Sequence, residues 1–177
     1  MSLRGGTSTL IQSGVQPSQF ESVGNVMYGL ATVIHVTTNR TDPLYRHISS
    51  NNISMTAPVE TRYPVSTLEA SEMGAPNEQG EALVSFLYRS TDIYPSEIAQ
   101  NIQVEDIAPM TVVSLGLKGS YDYSSYQKNI ERLREWLAQH PEWTVVGSPR
   151  RFFYDAPYVP EPAKRSEIQI PIRRVDG

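Results

Sequence analysis

Apolar positions along this chain recur with two periods, and the shorter one dominates. From Val26 to Thr38 the chain is rich in β-branched residues. Leu30, Thr32, Ile34 and Val36 fall on one side and Ala31, Val33 and His35 on the other, which predicts a strand. A second alternation runs from Asn52 to about Tyr63. Ile53, Met55, Ala57 and Val59 oppose Ser54, Thr56 and Pro58, and Pro58 interrupts the ladder because it has no N–H to donate. Ala82–Tyr88 is almost continuously apolar, as expected of a central strand. Ile102–Ile107 reads as extended, and Thr111–Lys118 alternates Val113, Leu115 and Leu117 against Val112, Ser114 and Gly116. Trp143–Gly147 and Ser166–Arg174 are the last predicted strands, separated by an aromatic Arg151–Tyr154 segment and a proline-rich loop. In the final strand Ile168, Ile170 and Ile172 share a face, with Glu167 and Gln169 on the opposite one.

The longer period appears once at length. Tyr126, Ile130, Leu133 and Leu137 recur at helical spacing, Trp136 widens the stripe, and Lys128, Glu131, Arg132 and Glu135 stay on the wet side. A helix over Ser124–Gln139 follows, capped by Ser124 or Ser125 and ended by His140-Pro141. Asp42-Pro43 opens a short helical turn over Pro43–Ser49, and Ile93–Gln100 is expected to form one or two turns. Residues 1–22 read as irregular with a short strand near Thr9–Val15, and Pro64–Gly80 as an exposed loop. The element order is strand, helix, strand, strand, twice. That predicts an α+β domain over 23–177 in two halves, about 23–90 and 102–175. The sheets curl toward each other with helices outside and a cleft between, and pockets form at such interfaces.

Composition narrows the chemistry. A net charge of −4 provides no basic field for nucleic acid. The pairs Arg150-Arg151, Lys164-Arg165 and Arg173-Arg174 read as solvated strand and loop ends. The absence of cysteine excludes disulfides, thiolate metal sites, a cysteine nucleophile and covalent haem attachment. No apolar run is long enough for a membrane span, and the first residues lack the core of a signal peptide, so the expectation is a soluble, cytoplasmic protein. No glycine-rich phosphate loop, metal-ligand spacing or nucleophile elbow is present.

A few side chains carry candidate chemistry. Among three histidines, His140 fits the end of a helix, and His47 lies on a short amphipathic turn that leaves it exposed. His35 sits beside small neighbours on a strand, where it is either an ordinary strand histidine or a metal donor facing a flat ligand. Met55 offers a thioether, although at strand spacing methionine is an ordinary core residue. Glu167 is wet on a two-layer sheet but lines the cavity of a curled one, where it attracts a cation or acts as a general acid or base. Tyrosines such as Tyr126 and Tyr154 supply rings with a polar tip, suited to pocket walls or to a barrel rim.

The stretch Asn52-Ile53-Ser54-Met55-Thr56-Ala57-Pro58-Val59 resembles the signature of the SOUL haem-binding family. Leu44–Ile48, Phe86-Leu87-Tyr88, Val113–Gly119, Tyr154-Asp155-Ala156-Pro157 and Arg165–Ile170 resemble its later blocks, in order, from about Tyr28 to Arg174. The resemblance implies two β-α-β-β repeats forming a distorted barrel with a central cleft, similar to GyrI-like effector-binding domains. It implies non-covalent binding of haem or another tetrapyrrole but fixes no axial histidine; His35 is the axial candidate by its strand position alone, no other metal is expected, and Arg62 either holds propionates or is a solvated strand-end arginine. Met55, Tyr126, Tyr154 and Glu167 complete the expected lining. The alternatives are a GyrI-like pocket for cationic amphipathic molecules centred on Glu167 and, more weakly, a small hydrolase using Glu167 and a tyrosine. The chain departs from the pattern in a shortened first helix and in Ser50-Asn51 where the family has glycine.

Overall fold

In the computed structural model the described residues are 23–27, 31–37, 42–54, 58–62, 83–88, 93–107 and 110–175. The strands are β1 (Val23–Met27), β2 (Ala31–Thr37), β3 (Val59–Arg62), β4 (Leu83–Leu87), β5 (Gln103–Ile107), β6 (Thr111–Lys118), β7 (Trp143–Val145), β8 (Arg150–Phe153) and β9 (Arg165–Arg174). The helices are α1 (Asp42–Ser50) and α2 (Tyr123–Ala138), with a 3-10 turn at Glu161–Ala163. All the strands join one antiparallel sheet in the order β1-β6-β9-β8-β3-β4-β2-β5, with β7 beside β9. Outward from the β3·β8 pair the order is the same on both sides, β4 then β2 and β9 then β6. The two β-α-β-β repeats are therefore related across that seam.

The sheet is curled. β5 and β6 are six strand positions apart, which in a flat sheet is about 29 Å at about 4.8 Å per strand. Yet the chain passes from Ile107 to Thr111 in four Cα steps, a reach of about 15 Å. Among the described residues no ladder joins β1 to β5, so the curl is open and is not a closed barrel.

Both helices pack on the convex face. α2 lays Tyr126, Ile130, Leu133 and Trp136 on Val113, Leu115, Leu117, Ile168, Ile170 and Ile172. α1 lays Leu44 and Ile48 on Val84, Phe86 and Tyr88. The alternate residues of the same strands face inward, where Leu87, Val112 and Phe152 form a third cluster with Ile107, Met110 and Tyr154.

Several elements differ from the sequence expectation, each for a local reason. Val26–Thr38 is not one strand, because β1 ends at Met27 and β2 begins at Ala31. Among the described residues the β3 ladder starts at Val59, just after Pro58, which suits a residue without an N–H. Asp122 caps α2 in place of Ser124 or Ser125, its carboxylate accepting from the Ser125 N–H at 2.6 Å and the Ser124 hydroxyl at 2.9 Å. Ile93–Gln100 forms no helix: Pro95 lies within it, and the Ser96 hydroxyl and Glu97 N–H donate to the Asn51 side chain. Arg150–Phe153, read as a connection, is a central strand. β7 and β8 lie on the same side of β9 and break opposite Pro171, which offers its carbonyl to the Val146 N–H at 2.9 Å but has no N–H to return. Residues 1–22, Pro64–Gly80 and Met55 lie outside the described residues.

α1 ends in a Schellman motif. The Ile53 N–H reaches the Ile48 carbonyl at 2.7 Å and the Asn52 N–H the Ser49 carbonyl at 3.2 Å, with Asn52 left-handed at φ 53° and Ile53 packed on the α1 core. Asn52→Gly is expected to keep wild-type stability, while Asn52→Val loses about 1–2 kcal/mol, because a β-branched residue is strained there. Urea unfolding of both variants checks this, and a valine variant as stable as wild type would contradict it.

Candidate ligand-binding face

The register aligns two polar rows across the concave face. Ser85, Glu60, Phe152, Glu167 and Gly116 lie directly opposite one another on β4, β3, β8, β9 and β6. Two residues away, Leu83, Arg62, Arg150, Gln169 and Ser114 form the parallel row. Such neighbours share a face, since side chains alternate along each strand. Glu60, Ser85, Ser114, Arg150, Glu167 and Gln169 are all buried. A strip of charged and polar groups thus runs beside the apolar cluster of Leu87, Val112 and Phe152.

Glu167 is 3% exposed and held from three directions. Oε1 accepts from the Ser114 hydroxyl and from the Gln169 amide, the latter at 2.6 Å, while Oε2 accepts from the Tyr154 hydroxyl at 2.9 Å. Gly116, opposite on β6, puts no side chain against it. Among the described residues no cation forms an ion pair with this carboxylate. Arg150 stops one residue short, donating to the Gln169 side-chain oxygen at 3.3 Å.

Glu60, in contrast, faces two cations, Arg62 at 3.3 Å and Arg150 at 3.9 Å. Arg150 also lies over the Phe152 ring and reaches the Met110 sulfur at 3.1 Å. The Ser85 hydroxyl is fully buried and has no protein partner among the described residues. A buried hydroxyl without a partner costs stability, so this is a polar position open to a ligand or a water.

A separate cavity of about 440 Å³ opens on the convex side, between the Pro43, Arg46, His47 and Ser50 stripe of α1 and residues 97–102. His47 is not exposed as its turn suggested. It is 4% exposed, with Nε2 at 2.8 Å from the Tyr88 hydroxyl. Burial pushes the His47 pKa down and that of Tyr88 up to about 12.

Of the residues singled out from the sequence, Tyr154 and Glu167 are bonded to each other, and Arg62 stands on the same face beside Glu60. The register sets His35 in the Ser85–Glu60–Phe152–Glu167 row, four strands from Glu167. Tyr126 lies in the core between α2 and the convex face, away from the others. His140 stacks on Trp136, with Nδ1 at 2.7 Å from the Trp136 carbonyl. Arg150 and Arg151 are buried, not solvated. Arg151 bonds the Ser120, Tyr121 and Asp122 carbonyls and stacks on Phe153. Glu60 and Ser85 were not singled out, Ser114 and Gln169 were placed on a strand face without a role, and Arg150 was read as solvated, although polar residues at period two inside strands are the available signal.

The family model described as SOUL heme-binding protein matches residues 30–171. No curated protein sequence matches the chain. Among solved structures, the C-terminal domain of EcmrR superposes with a TM-score of 0.61 at 17% identity, covering 88% of this chain and 99% of that one. An EcmrR–DNA complex gives 0.65 at 17% identity, covering 89% of this chain and 59% of that one. A hydrolase from Listeria innocua gives 0.57 at 7% identity, covering 88% and 94%. These likenesses show a shared fold. Among the described residues no helix is long and apolar enough to cross a membrane, and no group of side chains is arranged to hold a bare metal ion.

The depressed His47 pKa has a consequence for stability. Its site disfavours the imidazolium, so as the pH falls through 6.5 the unfolded chain takes up the proton first and stability is lost. The urea midpoint is expected to fall between about pH 7.5 and about pH 5.5, and less so in His47→Gln. An identical pH dependence in the two proteins would contradict this assignment.

Proposed function

This chain belongs to the SOUL heme-binding protein family, and we propose that it binds a tetrapyrrole reversibly on the concave face of its sheet. The observation that carries the reading is the pairing, on one buried face, of an apolar patch with a strip bearing both charges. Leu87, Val112 and Phe152, packed together at 0–3% exposure, are the apolar side chains that a flat ring would part and stack against. Arg62 and Arg150 supply guanidinium groups that match propionate carboxylates. Tyr154, bonded to Glu167, offers an oxygen donor, and His35, four strands away in the row of Glu167, is the alternative nitrogen donor for an iron tetrapyrrole. With no cysteine the attachment is non-covalent. When bound, the ring would be shielded from water by the patch and oriented by the strip.

One observation favours a second reading. Glu167 is buried without an ion-paired cation among the described residues, an arrangement that suits a cationic amphipathic ligand.

Titration with hemin is expected to give a saturable Soret shift. Arg62→Gln is expected to weaken it by about 1.5–3 kcal/mol, the worth of a charge-assisted hydrogen bond. A linear, unsaturable response would overturn the tetrapyrrole reading. If the protein instead gained thermal stability with a lipophilic phosphonium cation, and lost that gain in Glu167→Gln, the cationic reading would replace it.

A further inference from the structure

We propose that the cavity beside α1 is a second binding site, built for a small zwitterion with an apolar side chain, the chemistry of a free apolar amino acid. It lies on the convex side of the sheet, where α1 packs on Val84, Phe86 and Tyr88, while the polar strip faces the other way. The proposal is therefore independent of the tetrapyrrole reading.

The cavity is held open by its own walls. One wall is the α1 stripe of Pro43, Arg46, His47 and Ser50, a spacing that keeps side chains on one helical face. The other is the segment 97–102. Ile93 and Ile102 pack on the α1 core, whereas residues 96–101 between them are exposed, so the segment bows away from the helix. Asn51 fixes the bow. Its amide donates to the His47 carbonyl at 3.0 Å and the Glu97 carbonyl at 2.9 Å, and its oxygen accepts from the Ser96 hydroxyl and the Glu97 N–H, each at 3.0 Å. Collapse of the gap would break these bonds, so the site is formed before a ligand arrives. Its 440 Å³ falls within the about 300–1,000 Å³ of small-molecule pockets.

The charges on the two walls define the occupant. Arg46 stands on one wall and Glu97 on the other, both exposed. Among the described residues neither forms an ion pair, with the other or with a third group. A lone anion would gain from Arg46 and lose to Glu97, and a lone cation the reverse, so a ligand carrying both signs is favoured. Its carboxylate matches the guanidinium fork of Arg46 and its ammonium the Glu97 carboxylate. Its apolar side chain covers Pro43, Ala99 and Ile98, the last 52% exposed without it. His47 adds no third charge, because burial against Tyr88 disfavours its imidazolium.

Calorimetric titration of the full chain with phenylalanine is expected to saturate at one equivalent. Phenylalaninamide, which lacks the carboxylate, and N-acetylphenylalanine, which lacks the ammonium, should each bind about fivefold more weakly, the worth of one exposed ion pair. Arg46→Gln should weaken phenylalanine by the same factor and leave the amide unchanged. Glu97→Gln should weaken phenylalanine likewise and leave the N-acetyl compound unchanged. Both side chains are exposed, so neither variant endangers the fold. Absence of saturable phenylalanine binding, equal affinity for the three compounds, or wild-type affinity in Arg46→Gln overturns the proposal.

Discussion

The concave face depends on one short antiparallel ladder, Val59–Arg62 against Arg150–Phe153. It is the seam between the two repeats, and it brings Glu60 of one half beside Arg150 of the other. Burying such groups is costly, and the cost is recovered only when every charge finds partners. Here Glu60 has two arginines, and Arg150 also has Gln169, Met110 and the Phe152 ring. Removing one member of a buried pair typically costs about 3–5 kcal/mol, since the other is left uncompensated. Sheet pairing and the polar strip therefore stand or fall together.

The adjacent arginines of β8 serve opposite faces, as the strand period requires. Arg150 completes the concave strip. Arg151 crosses to the convex side and gathers the carbonyls that precede α2, next to Asp122, whose pKa is held down to about 2 by hydrogen bonds from Ser120, the Ser125 N–H and Ser124. Tyr121 then donates to the Arg165 carbonyl at 2.6 Å and accepts from the Asp155 N–H at 3.1 Å. Asp155 itself pairs with Arg165, which keeps its carboxyl below the usual range. These contacts flank Tyr154 and Glu167 in the chain, so the closing block of the family pattern is two segments that lock onto each other. The Tyr154–Glu167 bond is held in place from both sides.

The first half reaches the same end by different means. Its helix is short, and its C-terminus is secured by consecutive asparagines. Asn52 takes the left-handed turn, while the Asn51 amide donates to the His47 and Glu97 carbonyls and its oxygen accepts from Ser96 and Glu97. Asn51, the second residue of the Ser50-Asn51 departure from the family pattern, therefore adds a tether to the segment before β5. The neighbouring Ser50 and Glu97 line the cavity beside α1, and the Asn51 amide lies 3.5 Å from His47 Nδ1.

The regular elements were legible where side chains alternate cleanly. β6, α2 and β9 follow from apolar periodicity, since burying an isoleucine or leucine is worth about 1.5–3 kcal/mol and does not depend on the partner's identity. The opposed placement of Glu167 against Ile168, Ile170 and Ile172 could be read for the same reason. β8 could not, because two arginines followed by two phenylalanines carry no alternation, and arginine is buried only when specific acceptors await it. Whether Glu167 faced water or a closed interior was equally unreadable. That depended on the curl of the sheet, which is set by a link from Ile107 to Thr111 too short to cross a flat one, and on the cross-strand register that supplies Ser114, Tyr154 and Gln169. Sequence by itself determined which residues are apolar, which faces they occupy and which family the chain resembles, because these are local properties of period and pattern. Only the tertiary structure decided which polar groups meet, because hydrogen bonds and ion pairs need partners within about 3–4 Å, and those partners arrive from strands far apart in the chain.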